Sequence, residues 1–189
     1  MSKYIVTGGA GFIGSNLVHD LVKKGHDVIV VDSLHTGNEN LIKGLDVKFY
    51  PMRIDKFYMK EKWDDIDGIF HLGKPSASPM YRSDRNRINE FVDGSIAVLE
   101  MAKKLGIKMV AASTSSVYNG LEPPHREDMI IKPTDFYTEV RLFEERLAKV
   151  YEDLYNVQWN EMRFFQYTGQ GRSIKRIMQT LSRNFSGHF

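Results

Sequence analysis

The chain opens on a short run, Tyr4-Ile5-Val6, that breaks into Thr7-Gly8-Gly9-Ala10-Gly11-Phe12-Ile13-Gly14 and then into an amphipathic stretch carrying Leu17, Leu21 and Val22. Few local patterns restrict a fold as strongly. The β-branched and aromatic run favours a strand, the glycines a turn, and the spaced apolar residues a helix. Each glycine has its own reason to lack a side chain. Gly8 permits the tight turn, Gly11 lets backbone amides approach a ligand, and Gly14 lets the helix close on the strand. Amides of the first helical turn have no partner within the helix, and the helix dipole is positive at that end, so the turn suits a pyrophosphate.

The next apolar run, Val28 to Val31, ends at Asp32. A carboxylate at that place accepts hydrogen bonds from the hydroxyls of an adenosine ribose and repels a 2′-phosphate. No Arg or Lys follows before Lys43. The expected cofactor is therefore NAD rather than NADP.

Strand-like and helix-like segments then alternate. Val47 to Tyr50, Gly68 to Leu72, Ile107 to Ala112 and Val157 to Phe164 read as strands. Residues 55–62, 86–104 and 136–155 read as helices, with Gly106 stopping the second and Asp135 capping the third. Repeated βα units predict an α/β fold, a Rossmann-type doubly wound parallel sheet with helices on both faces. At 189 residues and 42% hydrophobic content the chain is long enough for one buried core. It has no cysteine, which excludes disulfides, thiolate metal sites and a cysteine nucleophile, and no metal is expected. There is no signal-peptide pattern and no long apolar run, so a cytoplasmic protein without membrane or nucleic-acid partners is expected. The net charge of +2 is uneven: residues 166–189 hold Arg172, Lys175, Arg176 and Arg183 without an acid.

From Met1 to Phe165 the chain resembles the extended short-chain dehydrogenase/reductase family, in its nucleotide-sugar epimerase branch. The resemblance is carried by the glycine turn, Asp32 to Asn38 (DSLHTGN), Phe70-His71-Leu72-Gly73, Ser113 to Tyr118 (STSSVY), and Tyr137 with its following helix. It implies a cofactor site of Gly8, Gly11, Phe12, Ile13, Gly14, Asp32, Ser33, Asn38, Ile54, Asp55, Leu72 and Gly73, completed by Tyr137 and Arg141. It implies further that Tyr137 takes the proton of the sugar 4-hydroxyl while hydride leaves C4, that Thr114 hydrogen-bonds the same oxygen, and that Ser115 and Ser116 line the substrate pocket. A tyrosine with its ordinary pKa of about 10 is a poor base at neutral pH, so a fixed cation must favour the phenolate. Where the family usually has a lysine this chain has Arg141, which keeps its charge but differs in reach and geometry. His71 reads as a structural residue at a strand end.

Three other departures stand out. Met52-Arg53-Ile54-Asp55 lacks the family's usual acid before the short helix, which leaves adenine to Asp55 or a backbone group. Gly73-Lys74-Pro75 replaces a small alanine-rich turn. Ser115-Ser116 lack the carboxylates of the 4,6-dehydratases, so the resemblance favours an epimerase cycle: oxidation to a bound 4-ketosugar, rotation, and hydride return. A nucleotide-diphosphate sugar is the substrate so implied, and a homodimer through residues 86–104 and 136–155 the assembly. Two alternatives stay open, an inactive NAD-binding fragment and a small-alcohol dehydrogenase.

The family continues past the sixth strand into a smaller substrate domain, expected to be absent here. After Arg163-Phe164-Phe165 it usually reads Ser-Val-Tyr-Gly-Pro-Gly, whereas this chain reads Gln166-Tyr167-Thr168-Gly169-Gln170-Gly171. One restored base near codon 165 converts the second into the first. Residues 166–189 are therefore expected to be an out-of-frame tail, following an NAD-binding domain of residues 1–165.

Overall fold

The computed structural model describes residues 1–60 and 63–165. Its sheet has six strands: β1 (Lys3–Thr7), β2 (Asp27–Val31), β3 (Lys48–Tyr50), β4 (Gly68–His71), β5 (Lys108–Thr114) and β6 (Trp159–Phe164). They lie in the order β3-β2-β1-β4-β5-β6, every neighbouring pair parallel. The helices are α1 (Phe12–Lys23), α2 (Ile54–Tyr58), α3 (Ser78–Ser83), α4 (Asn86–Leu105) and α5 (Phe136–Tyr155). This is the Rossmann-type α/β arrangement expected from the alternation of strands and helices.

Successive side chains of a strand point to opposite faces, and the central strands bury both. Ile5, Ile29, Ile69 and Met109 join Ile54 and Phe57 of α2, Val98, Leu99 and Met101 of α4 and Ala148 of α5 in one core. Val6, Val28, Val30, Phe70 and Val110 join Leu17, Val18 and Leu21 of α1 in the other. Each such side chain, when large and fully buried, contributes roughly 1.5–3 kcal/mol. The continuous apolar runs seen in the sequence are what this two-sided burial requires.

The long helices begin and end where their termini are satisfied. Asp135 accepts the backbone N–H of Thr138 and caps α5. Gly106, at φ 65°, ends α4 in the left-handed conformation that costs glycine least. Helix α2 is shorter than the expected 55–62. It closes at Met59, and the Trp63 indole donates to the Tyr58 carbonyl at 3.1 Å, taking up one terminal acceptor. Strand β5 runs two residues past the expected Ala112, because β6 pairs with it as far as Thr114 against Phe164. Helix α3 was not foreseen. The expectations for residues 166–189 lie outside the described residues.

The chain builds outward from β1 to β3, then returns to place β4 on the other side of β1. Connections therefore leave β1 and β4 in opposite directions. A crevice opens between them at the carboxyl ends of the strands, where open parallel sheets bind ligands.

Candidate functional site

A cleft of about 400 Å³ occupies this switch point. Gly8, Gly11, Phe12, Ile13 and Gly14 form its centre, and Val31, Asp32, Ser33, His35, Thr36 and Gly37 one end. Leu72, Gly73, Lys74, Pro75, Ser76, Met80 and Ala112 line the other part, with Met52, Arg53, Ile54, Asp55, Arg87 and Glu90 also on the wall.

The glycine turn is dictated by backbone contact. A Cβ on Gly14 would lie 2.0 Å from the Gly8 carbonyl oxygen, and one on Gly8, at φ 68°, would lie 2.6 Å from Gly73 Cα. The turn is thus pressed between α1 and the residues after β4, and a side chain at Gly8 or Gly14 would force them apart.

Asp32 is nearly buried, and its carboxylate already accepts from Ala10 N at 3.0 Å and Leu34 N at 2.8 Å. A carboxylate offers about four acceptor positions, so it can fix this loop and still receive a pair of hydroxyls. Ser33 is beside it. Asn38 is not part of the cleft wall: its side chain accepts from Asn40 N, and its own N–H donates to the Ala10 carbonyl, tying the loop back onto the glycine turn. Asp55 does reach the cleft, but it is held by Arg53 at 2.8 Å.

Thr7 organises the join between β1 and β4. Its hydroxyl oxygen accepts from Leu72 N and Gly73 N, so its proton is directed to His71 Nδ1, 2.8 Å away. That leaves His71 Nε2 carrying the ring proton and facing Glu144 Oε1 at 3.5 Å. Burial, together with the charge of Lys74, pushes the His71 pKa down to about 3, so the imidazole is neutral. His71 thus ends β4 as a buried neutral side chain bonded to Thr7.

Of the three residues expected to act in catalysis, Thr114 lies where β5 gives way to a 3-10 turn (Ser115–Tyr118), and Tyr137 and Arg141 lie in the first two turns of α5. Helix α5 packs against both the strand and the turn. Thr114 caps the turn: its Oγ1 accepts from Ser116 N and donates to Ser116 Oγ, each at 3.1 Å. Ser115 and Ser116 are half-buried. Tyr137 packs with Tyr81, Phe91 and Val140. Arg141 lies one helical turn on, its guanidinium carbon 5.2 Å from the Tyr137 ring centroid. That guanidinium is buried, donating to Ala112 O at 2.7 Å and Pro75 O at 3.1 Å, while its Nε finds no partner among the described residues.

Sequence reasoning did not foresee the polar cluster behind this end. Lys74 turns its ammonium inward to Ala112 O at 2.9 Å and into a short contact with Glu144, with Glu161 at 3.8 Å. Ser95 donates to Glu144 at 2.9 Å. Although burial opposes ionisation, the charge of Lys74 holds the Glu144 carboxyl below the ordinary range. Glu161 is pushed well above it by burial and by Glu144. The one signal was the lysine in a turn expected to be small.

The fold and the cleft define the class, a Rossmann-type α/β protein with a ligand crevice at the switch point of its sheet. Over residues 4–188 the chain matches the NAD dependent epimerase/dehydratase family, to which it belongs. It is 28% identical over 173 residues to UDP-glucose 4-epimerase of Lactobacillus helveticus, covering 88% of this chain and 52% of that protein. It is 34% identical over 194 residues to ADP-L-glycero-D-manno-heptose-6-epimerase of Alkalilimnicola ehrlichii, covering 96% and 58%. The solved UDP-glucose 4-epimerase of Thermotoga maritima, with UDP-glucose, superposes with a TM-score of 0.79 at 27% identity over 85% of this chain and 54% of that one. The chain thus spans little more than half the length of these relatives. No helix among the described residues is long and apolar enough to cross a membrane.

Proposed function

We propose that the chain binds NAD in the switch-point cleft and uses it for transient oxidation of a nucleotide-diphosphate sugar at C4, as a nucleotide-sugar epimerase. The observation that carries this reading is the coincidence, in the switch-point cleft, of a glycine turn too close to its own neighbours for a Cβ at Gly8 or Gly14 with a carboxylate at Asp32 that retains acceptor positions. Asp32 would receive the adenosine ribose and the amides of the glycine turn the pyrophosphate. The buried Nε–H of Arg141, which lacks a partner among the described residues, is a donor available to the second ribose.

When bound, NAD supplies a hydride acceptor. The chain supplies proton handling and orientation. Tyr137 takes the proton of the sugar hydroxyl, Arg141 places its fixed positive charge beside the Tyr137 ring, and Thr114 holds the same oxygen by redirecting its hydroxyl from Ser116. Ser115 and Ser116 orient the sugar. Two chains would pair through α4 and α5, covering the exposed Ile96, Val150 and Leu154.

Binding without turnover is a second reading. It is favoured by the engagement of Thr114 in its own turn and of Arg141 with two backbone carbonyls. Calorimetric titration with NAD and NADP, with Asp32→Ala as control, tests the shared first half. Tight NAD binding that is lost in the control, and weak NADP binding to the parent chain, are expected. Equal affinity for the two cofactors, or an unaffected control, would sink the reading. Hydride transfer from UDP-glucose, followed at the absorbance of reduced cofactor, then separates the two readings; simple alcohols reducing the cofactor where the nucleotide sugar does not would point instead to a small-alcohol dehydrogenase.

A further inference from the structure

Strand order decides what lies beyond Asp32 in the cleft. The glycine turn follows β1, Asp32 follows β2 and residues 52–55 follow β3, and these three strands are neighbours in that order. A dinucleotide with its pyrophosphate on the turn and its ribose at Asp32 therefore brings its base to residues 52–55. Arg53 and Asp55 stand on the wall there, and Glu90 and Arg87 of α4 continue it.

The acids of this wall are already engaged by cations. Asp55, the side chain that the sequence offered to adenine, accepts from Arg53 Nε through Oδ1 at 2.8 Å, and its Oδ2 lies 3.7 Å from Lys56 Nζ. Glu90 Oε1 lies 3.3 Å from Arg53 Nη1, and its Oε2 accepts from Arg87 Nη1 at 2.5 Å. Asp93 Oδ2 accepts from Arg53 Nη2 at 3.4 Å. Three acids from α2 and α4 thus hold one guanidinium in place. A guanidinium has five N–H groups, so beyond these three pairs one remains on each terminal nitrogen of Arg53. The arginine is also the more exposed member of its bond with Asp55, 33% against 15%.

What the wall offers a base is therefore a pair of donors. Adenine presents an amino donor at position 6 beside its N7 acceptor, whereas a 6-oxopurine presents two acceptors, which the fork of an arginine meets together. An amino group set against guanidinium N–H groups leaves donor facing donor. Resting on the cofactor reading above, we infer that Arg53 reads the base and makes the cleft hold a dinucleotide with a 6-oxopurine more tightly than the adenine dinucleotide. Arg53 sets specificity in this role and touches no reacting atom. By engaging Asp55 it also withdraws the acceptor that an amino group needs.

The test is the ratio of the dissociation constants for NAD and nicotinamide hypoxanthine dinucleotide, measured by calorimetry on the full chain. The two ligands share both riboses, the pyrophosphate and the nicotinamide, and differ only in the base. In the parent chain the ratio is expected to be about ten, the order by which a bidentate arginine contact separates purines. Arg53→Met removes the donors and frees Asp55 to accept from the amino group, so the ratio should fall below one. Arg53→Lys keeps the charge without the fork and should bring the ratio down toward one. A merely structural ion pair, when lost, weakens both ligands alike and leaves the ratio where it was. Circular dichroism reports whether each variant folds; if Arg53→Met does not, Arg53→Lys carries the comparison. A parent ratio at or below one with both ligands bound overturns the inference alone, as does a ratio unchanged in the folded variant. Failure of both dinucleotides to bind the parent chain overturns the cofactor reading as well, so the two failures are distinguishable.

Discussion

Two glycines of the turn face different constraints, and they separate folding from binding. A methyl on Gly14 collides with the Gly8 carbonyl, so Gly14→Ala must push α1 away from β1. Overpacking of this kind costs about 1–3 kcal/mol, and a lowered denaturation midpoint together with lost NAD binding is expected. On Gly11 the methyl meets only the Gly8 oxygen, at 3.1 Å. Gly11→Ala should fold with a nearly unchanged midpoint yet bind NAD at least about tenfold more weakly, because the methyl lies where the backbone is expected to approach phosphate. A midpoint that drops equally in both variants would refute the separation. These glycines and Asp32 were legible in the sequence because their roles depend on neighbours within one βα unit. Lys74 and Glu144 were not, since they meet across 70 residues and a charge in sequence ordinarily reads as a solvated surface residue.

Among the elements, legibility followed length and periodicity. Helices α4 and α5 combine a repeating apolar face with identifiable ends, and their bounds came out within a residue. Helix α3 has six residues, too few for a period, and begins with Ser78-Pro79. What holds it is tertiary: Tyr81 is fully buried and donates to the Pro75 carbonyl at 3.1 Å. Its start is also tied to α5, since Ser78 donates to Asp135, the residue that caps α5 through Thr138. Asp135→Ala removes both bonds, and loss of an N-cap alone costs about 1 kcal/mol. Ser78→Ala removes only the link between helices. Chemical denaturation should rank Asp135→Ala as clearly the more destabilising. An equal loss in both would show that the cap contributes nothing beyond the link.

For the whole molecule, the buried cluster sets how stability depends on pH. His71 falls from 6.5 to about 3 on folding, so from 6.5 downward the unfolded chain binds one more proton at this site and stability declines as pH falls. Glu161 is shifted the other way, from 4.5 upward: above 4.5 the unfolded chain has lost a proton that the folded chain keeps, and stability declines as pH rises. Each full proton is worth about 1.4 kcal/mol per pH unit. Between 4.5 and 6.5 the two slopes oppose and nearly cancel. Above that window Glu161 lowers stability as pH rises, and below it His71 is joined by Glu144, whose depressed pKa removes stability from 4.5 downward. The parent chain should therefore show a plateau of stability with a decline on both sides. Gln is close in shape to a protonated Glu and cannot ionise, so Glu161→Gln removes one slope and leaves the others. The variant should match the parent chain near pH 4.5, keep gaining stability to about 6.5, and exceed it by at least about 1 kcal/mol at pH 8. Denaturant midpoints across that range measure the difference directly. If the two curves run parallel, Glu161 is not protonated in the folded chain.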